Sequence, residues 1–196
     1  MQPPSKTTFH PVLLNDAPYL VLDLTSEEAE EYGAKNARYT LGRYDEHRPG
    51  LYQTDLFSDG RTVHVGIDLG APAGTPVHAY TDGVVLHAGT NPDPGDYGSV
   101  LVLEHDVEEG PKYALYGHLS RATLALSPPG RRVRKGDVIG WLGGHPENGG
   151  WEPHLHFQLG VDRPDTHDMP GVVRLSEREE ALQRYPDPRR VLGPLY

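Results

Sequence analysis

From residue 61 to about 160 the chain alternates short apolar runs with turn residues: TVHVGIDL, PVHAYTDGVVLHAG, YGSVLVLEHD, KYALYGHLS, RVRKGDVIGWLGG and HLHFQLGV. Val, Ile, Leu and Tyr dominate these runs, and Gly or Asp-Gly punctuates them, so each reads as a strand. Several strands without long intervening helices predict an antiparallel sandwich or barrel. In EPHLHFQLG (152–160) the alternation is strict. Residues two apart on a strand share a face, so His154 and His156 look one way while Leu155, Phe157 and Leu159 look the other.

The flanks read differently. Residues 1–24 look like an arm ending in a strand, YLVLDL, followed by TSEEAEEYG, where Thr25 and Glu28 form a capping-box pattern and Gly33 can end a short helix. Residues 34–60 are polar and turn-rich, so 1–60 is expected to be an N-terminal extension packed on a β-rich core at 61–160. In the C-terminal extension, 161–196, SEREEALQRY carries a second capping-box pattern, Ser176 with Glu179. Its tail can pack back through Val191 and Leu192. Helices are therefore expected only in the flanks, near 25–33 and 176–184. Within the core, GTPVHAYTDGVVLHAG and GRRVRKGDVIGWLG echo one another: Gly, two residues, Val, a Gly-centred turn, then an apolar strand ending in Gly.

Composition narrows the chemistry. A chain of 196 residues is long enough to bury about 70% of the surface it exposes when unfolded, so it needs no staples. It has no cysteine, which excludes disulfides and thiolate metal sites, but it has 11 histidines. A net charge of −10 argues against nucleic-acid binding and against adhesion to anionic membranes. No run is long enough to span a membrane. The N-terminal segment, interrupted by Pro11, Asn15, Asp16 and Pro18, does not read as a signal peptide, so a cytoplasmic location is expected.

Four patterns can meet in space: HVGID with His64 and Asp68, YGHLS with His118, the His154/His156 pair, and the glycine-rich approach GGHPENGGWEP. Four apart on a strand, His64 and Asp68 would share a face, with Gly66 leaving room between them. Joined by one histidine of the final pair, they make a two-histidine, one-carboxylate set. Such a set leaves the fourth tetrahedral position open, as catalytic zinc requires.

Together, H-x-x-x-D at 64–68, YGHL and H-x-H at 154–156 resemble the lysostaphin/LytM-type zinc metalloendopeptidases, over about residues 61–160. The resemblance implies that His64, Asp68 and His156 hold Zn2+ and that His118 and His154 form a catalytic pair beside it. It also implies a mainly β fold, an antiparallel sandwich of the duplicated hybrid-motif type with short flanking helices and a groove over the metal. The activity implied is zinc-dependent hydrolysis of a peptide amide, with a peptide or peptidoglycan-like substrate as the partner. Some members contribute a Tyr from just upstream of the first ligand, and Tyr52 is the nearest candidate. The loop GGHPENGGWEP replaces the family's Ser-Thr-Gly type turn. This version looks like the domain embedded in large multidomain proteins between a kinase-like phosphotransferase and a class III aminotransferase. Gly143, Gly144, Gly149 and Gly150 would line the groove, with Trp151 as a wall or packing residue. Three alternatives stand beside this reading: a non-catalytic metal-binding or interaction domain, a hydrolase of an unidentified cytoplasmic amide, and a two-histidine phosphocarrier, which has no need of Asp68.

Overall fold

The computed structural model describes residues 9–26 and 37–196. The strands are β1 (Leu20–Val21), β2 (Thr40–Gly42), β3 (Glu46–His47), β4 (Arg61–His64), β5 (Ile67–Gly70), β6 (Pro76–His78), β7 (Gly83–Asn91), β8 (Gly98–His105), β9 (Tyr113–Leu119), β10 (Arg132–Val133), β11 (Val138–Trp141), β12 (His154–Gly160) and β13 (Val172–Arg174). The helices are α1 (Ala122–Leu126), α2 (Arg178–Arg184) and α3 (Arg189–Leu192). The fold is mainly β. Eight strands form one sheet in the order β1-β2-β5-β12-β9-β8-β7-β10, β13-β4-β3 form a second sheet, and β11-β6 a third. Among the described residues every pair is antiparallel except β1 with β2.

Alternation builds the large sheet. On β8, Leu101 and Leu103 enter the main core while Val100 and Val102 face a second cluster with Tyr97 and Met169. On β12, Leu155, Phe157 and Leu159 join the main core with Ile67, Leu69 and Tyr116. Val77 on β6 and Ile139 on β11 enter the same core, so the two-stranded sheet covers that face. Burying these side chains stabilises the sheet by roughly 1.5–3 kcal/mol each relative to exposure. The two echo segments pair crosswise: β6 of the first with β11 of the second, and β10 of the second with β7 of the first.

Several local expectations are corrected. TVHVGIDL is not one strand. It breaks at Val65 and Gly66, and its halves join different sheets, β4 pairing with β13 and β3 while β5 pairs with β12 and β2. A helix, α1, lies inside the β-rich stretch. Its Thr123 is fully buried, and Gly140 leaves room for it, since a Cβ there would meet Thr123 Cγ2 at 2.5 Å. Five residues are too short to display a helical period. The turn-rich stretch at 34–60 also contributes β2 and β3.

At the C-terminus the helix expected near 176–184 is present, preceded by a 3-10 turn at Leu175–Glu177. Its start is not Ser176 with Glu179. The carboxylate of Glu177 instead accepts from the backbone N–H of Arg174 and pairs with that arginine's guanidinium. The helix expected over 25–33 lies outside the described residues from 27 onward.

Candidate active site

Three side chains converge from two sheets. His64 ends β4, Asp68 sits on β5 and His156 on β12, where Asp68 and His156 are direct cross-strand partners. His64 Nε2 lies 3.0 Å from His156 Nδ1 and 3.2 Å from Asp68 Oδ1. His156 Nδ1 lies 3.1 Å from the same oxygen. Gly66 makes this approach possible, because a Cβ there would sit 2.5 Å from His156 Cε1. All three residues are buried.

The outward bonds set the protonation of each ring. His64 Nδ1 donates to the Arg43 carbonyl at 2.9 Å. Gln158 donates its amide nitrogen to the Pro170 carbonyl, so its Oε1 faces His156 Nε2 at 2.9 Å and accepts from it. Two imidazole lone pairs and one carboxylate oxygen are thus left facing one point. Burial, followed by the nearby Arg48 charge, lowers His64 to about 4, so His64 itself stays neutral near neutral pH. Burial raises the Asp68 carboxyl, but His64, Arg48 and His156 outweigh it and hold the group well below the usual carboxylate range. A cation relieves the repulsion. Separations of 3.0–3.2 Å suit ligands about 2.0–2.2 Å from a shared zinc-sized ion. The donor set therefore fits a metal, and these three residues are a group able to hold one.

His118 and His154 stand beside the triad, their rings 4.3 Å apart, and His154 Nε2 is 3.8 Å from Asp68 Oδ1. His118 Nδ1 donates to the Asn148 carbonyl at 2.9 Å and His154 Nδ1 to the Glu152 carbonyl at 2.6 Å. Each ring therefore keeps its lone pair on Nε2. Burial pushes both pKa values down, for His118 reinforced by His154 and carried well below the usual histidine range. Both rings are neutral bases near neutral pH.

His118 reaches this position through a bulge. Between the pairs Ser99↔Leu119 and Leu101↔Tyr116, β9 has two residues, Gly117 and His118, against one on β8. His118 takes φ 61°, a left-handed value uncommon for a residue with a side chain. Strict alternation would send its ring to the core face with Ala114 and Tyr116. The extra residue re-aims it, a use of bulges common beside active sites.

A cavity of about 180 Å³ adjoins the five residues and is walled by Tyr52, Phe57, Tyr97, Trp151 and Gly171 among others. Gly143, Gly144, Gly149 and Gly150 do not line it; its glycines are Gly95, from the 91–98 loop, and Gly171. Gly149 instead packs on the Asp96 carbonyl, which leaves no space for a Cβ. Tyr52 does line the cavity, and its hydroxyl accepts from Arg48 Nη1 at 3.0 Å. Trp151 is a wall, packed with Phe57 and Val172.

Sequence reasoning missed Arg43, Arg48, Asn148 and Gln158. For Gln158 a signal existed, since the i, i+2 face carrying His154 and His156 continues to it. The others touch the site through backbone carbonyls or long-range contacts that no local pattern marks. The phosphocarrier alternative leaves Asp68 without a role, whereas here Asp68 lies at the centre of the cluster.

The profile of Peptidase family M23 matches residues 62–167, more than half of the chain. The chain is 39% identical over 102 residues to the DD-carboxypeptidase/endopeptidase Mpg of Neisseria meningitidis, covering 51% of this chain and 20% of that protein. It is 34% identical over 139 residues to the peptidoglycan DD-endopeptidase ShyC of Vibrio cholerae, covering 63% and 30%. The chain thus spans less than a third of the length of these relatives. Among solved structures, the catalytic domain of lysostaphin from Staphylococcus simulans superposes with a TM-score of 0.53 at 23% identity, covering 80% of this chain and 93% of that one, a likeness of fold.

Proposed function

Because the chain belongs to peptidase family M23, we propose that it is a zinc-dependent peptidase that hydrolyses an amide bond in a peptide, with peptidoglycan peptides as the first substrate class to test. The observation that carries this reading is the donor set. His64 Nε2, His156 Nδ1 and Asp68 Oδ1 face one point with their other polar atoms already committed, and two neutral histidines stand alongside. A relative named as a peptidoglycan DD-endopeptidase supports the choice of substrate.

His64, Asp68 and His156 would hold the ion. When bound, zinc supplies Lewis-acid polarisation of a carbonyl and lowers the pKa of a bound water. The chain's own part is proton handling and orientation. His118 and His154 each offer an unprotonated Nε2, and their Nδ1–H bonds to Asn148 and Glu152 hold the tautomer. Either ring can take a proton at Nε2 and give it to a leaving amine, as general acid–base catalysis requires. With the rings 4.3 Å apart, protonating one at Nε2 disfavours protonating the other, so the pair takes up one extra proton at a time. Tyr52, whose oxygen accepts from Arg48, keeps its own O–H as a donor in the cavity.

The larger multidomain setting, beside phosphotransferase and aminotransferase domains, is a further part of this reading. It is carried by the wording of the 143–153 loop, and the length of the native polypeptide tests it.

The main test incubates zinc-loaded protein with purified peptidoglycan and with oligoglycine-containing peptides, with and without chelator and with the His154→Ala variant. Chelator-sensitive release of new amino termini, absent in the variant, supports the proposal. Stoichiometric zinc without release from any substrate would leave a metal-binding domain of the same fold.

A further inference from the structure

One guanidinium touches one of the three ligands directly and the support of a second. Arg48 is essentially fully buried, at 1% exposure. Its Nη1 donates to Asp68 Oδ2 at 2.8 Å, the oxygen that does not face the histidines. Its Nη2 donates at 3.3 Å to the Arg43 carbonyl, the same oxygen that accepts from His64 Nδ1. Its Nε donates to Glu46 Oε2 at 2.9 Å, and Nη1 also reaches the Tyr52 hydroxyl at 3.0 Å. Glu46 is in turn held by Arg43 Nε at 2.9 Å. The backbone leaves no slack here, since a Cβ on Gly42 would sit 2.6 Å from Arg48 Nη2 and 3.1 Å from Asp68 Oδ2. All of these supporting residues precede residue 62, where the family match begins.

We propose that Arg48 is the positioning residue of the metal centre: it reserves Asp68 Oδ2, so that the carboxylate meets the ion through Oδ1 alone, and it braces His64 through the shared Arg43 carbonyl. The inference rests on the metal-centre reading above. Its physical basis is the fork of the guanidinium, whose planar donors meet an acidic partner on either side and a carbonyl at a fixed angle. A lysine at this position would keep the charge but reach only part of this set. A carboxylate relieved of its Oδ2 partner can swing and offer both oxygens, which raises the coordination number and blurs the open position needed for catalysis. Groups that orient metal ligands are typically worth 10–100-fold in metal affinity or activity.

The test compares wild type, Arg48→Lys and the charge-neutral Glu46→Gln/Arg48→Met, the last keeping the test readable should the lysine variant fail to fold. Cobalt affinity is measured by competition with a chromophoric chelator, the visible spectrum of the cobalt-loaded protein reports coordination number, and thermal melting of the metal-free proteins reports folding. The expected result is a 10–100-fold loss of cobalt affinity in a folded variant, with a weaker visible band as the ion gains a ligand atom. A variant that melts lower yet binds cobalt with wild-type affinity and spectrum would show a role in stability alone and overturn the inference. Wild-type protein that takes up no stoichiometric cobalt would overturn the metal-centre reading, and this inference with it.

Discussion

His118 donates from Nδ1 to the backbone carbonyl of Asn148 at 2.9 Å, across a gap of thirty positions in the chain. Asn148 is fully buried, and its side chain ties its own loop together. Nδ2 donates to the carbonyls of Gly143 and Trp151, and Oδ1 accepts from the N–H of Gly150. The loop over 143–151 is therefore pinned by one amide, and that amide sets where the His118 acceptor lies. Asn148→Ala removes three hydrogen bonds and strands buried partners, at a cost of about 2–4 kcal/mol. A lower melting temperature and a fall of at least about tenfold in peptide hydrolysis are expected, with zinc content unchanged. Stability and rate equal to wild type would refute this account of the loop.

The metal assignment predicts a division between the five site residues. Asp68→Ala is expected to lose stoichiometric zinc, since the carboxylate oxygen common to both ligand histidines disappears. His118→Ala and His154→Ala are expected to retain zinc while losing about 10²–10⁴-fold in rate, the usual contribution of an acid–base group. Elemental analysis beside a hydrolysis assay checks both halves. Full zinc in Asp68→Ala, or wild-type turnover in either histidine variant, would remove the corresponding role.

Gly66 offers a steric test that leaves the ligands themselves intact. A methyl group there would meet His156 Cε1 at 2.5 Å, His156 Nε2 at 2.6 Å and the Phe157 carbonyl at 3.1 Å. Gly66→Ala should therefore push the His156 ring aside and weaken zinc binding by at least tenfold. Gly74→Ala is the control. Gly74 has φ 81° and open space around its would-be Cβ, so its cost is backbone strain of about 1 kcal/mol, without an effect on the metal. Equal zinc affinity in the two variants would contradict the prediction.

His105 lies outside the His64, Asp68 and His156 cluster and carries a pH dependence of stability. It is buried at 1% exposure, facing the Thr81 carbonyl through Nδ1 and the Tyr116 hydroxyl through Nε2. Burial lowers its pKa from 6.5 to about 4. Between those values the unfolded chain binds a proton that the folded chain does not, so stability rises with pH in this window. The contribution is complete above about pH 6.5 and is lost as pH falls toward 4, amounting to about 3 kcal/mol. Denaturant unfolding of metal-free wild type and His105→Gln at pH 7 and pH 4.5 measures it. A smaller pH difference in the variant is expected, and parallel profiles would count against it.

Much of the molecule was legible in the chain. Alternation marked His154 and His156 as sharing one face and Leu155, Phe157 and Leu159 as core, because period two is a local property of an extended backbone. Turn residues marked most strands of the large sheet for the same reason. The spacing H-x-x-x-D with H-x-H offered His64, Asp68 and one histidine of the final pair as a donor set, and the resemblance to the lysostaphin/LytM-type enzymes chose His156 and added His118.

The tertiary structure decided how they converge, and the physical reason lies in contacts between distant residues. His64 and Asp68 share no strand face. They meet because the chain crosses from one sheet to another at Val65 and Gly66, and each sheet is set by pairing with β13, β3, β12 and β2. His118 would face the core by alternation and is turned into the site by one unpaired residue, which only the register against β8 creates. Arg48 stands in a stretch that reads as polar and turn-rich, and its charge is buried only because Glu46 and Asp68 close on it. Strand period and ligand type are properties of neighbours in sequence. Sheet crossing, bulge register and a buried ion pair are properties of neighbours in space.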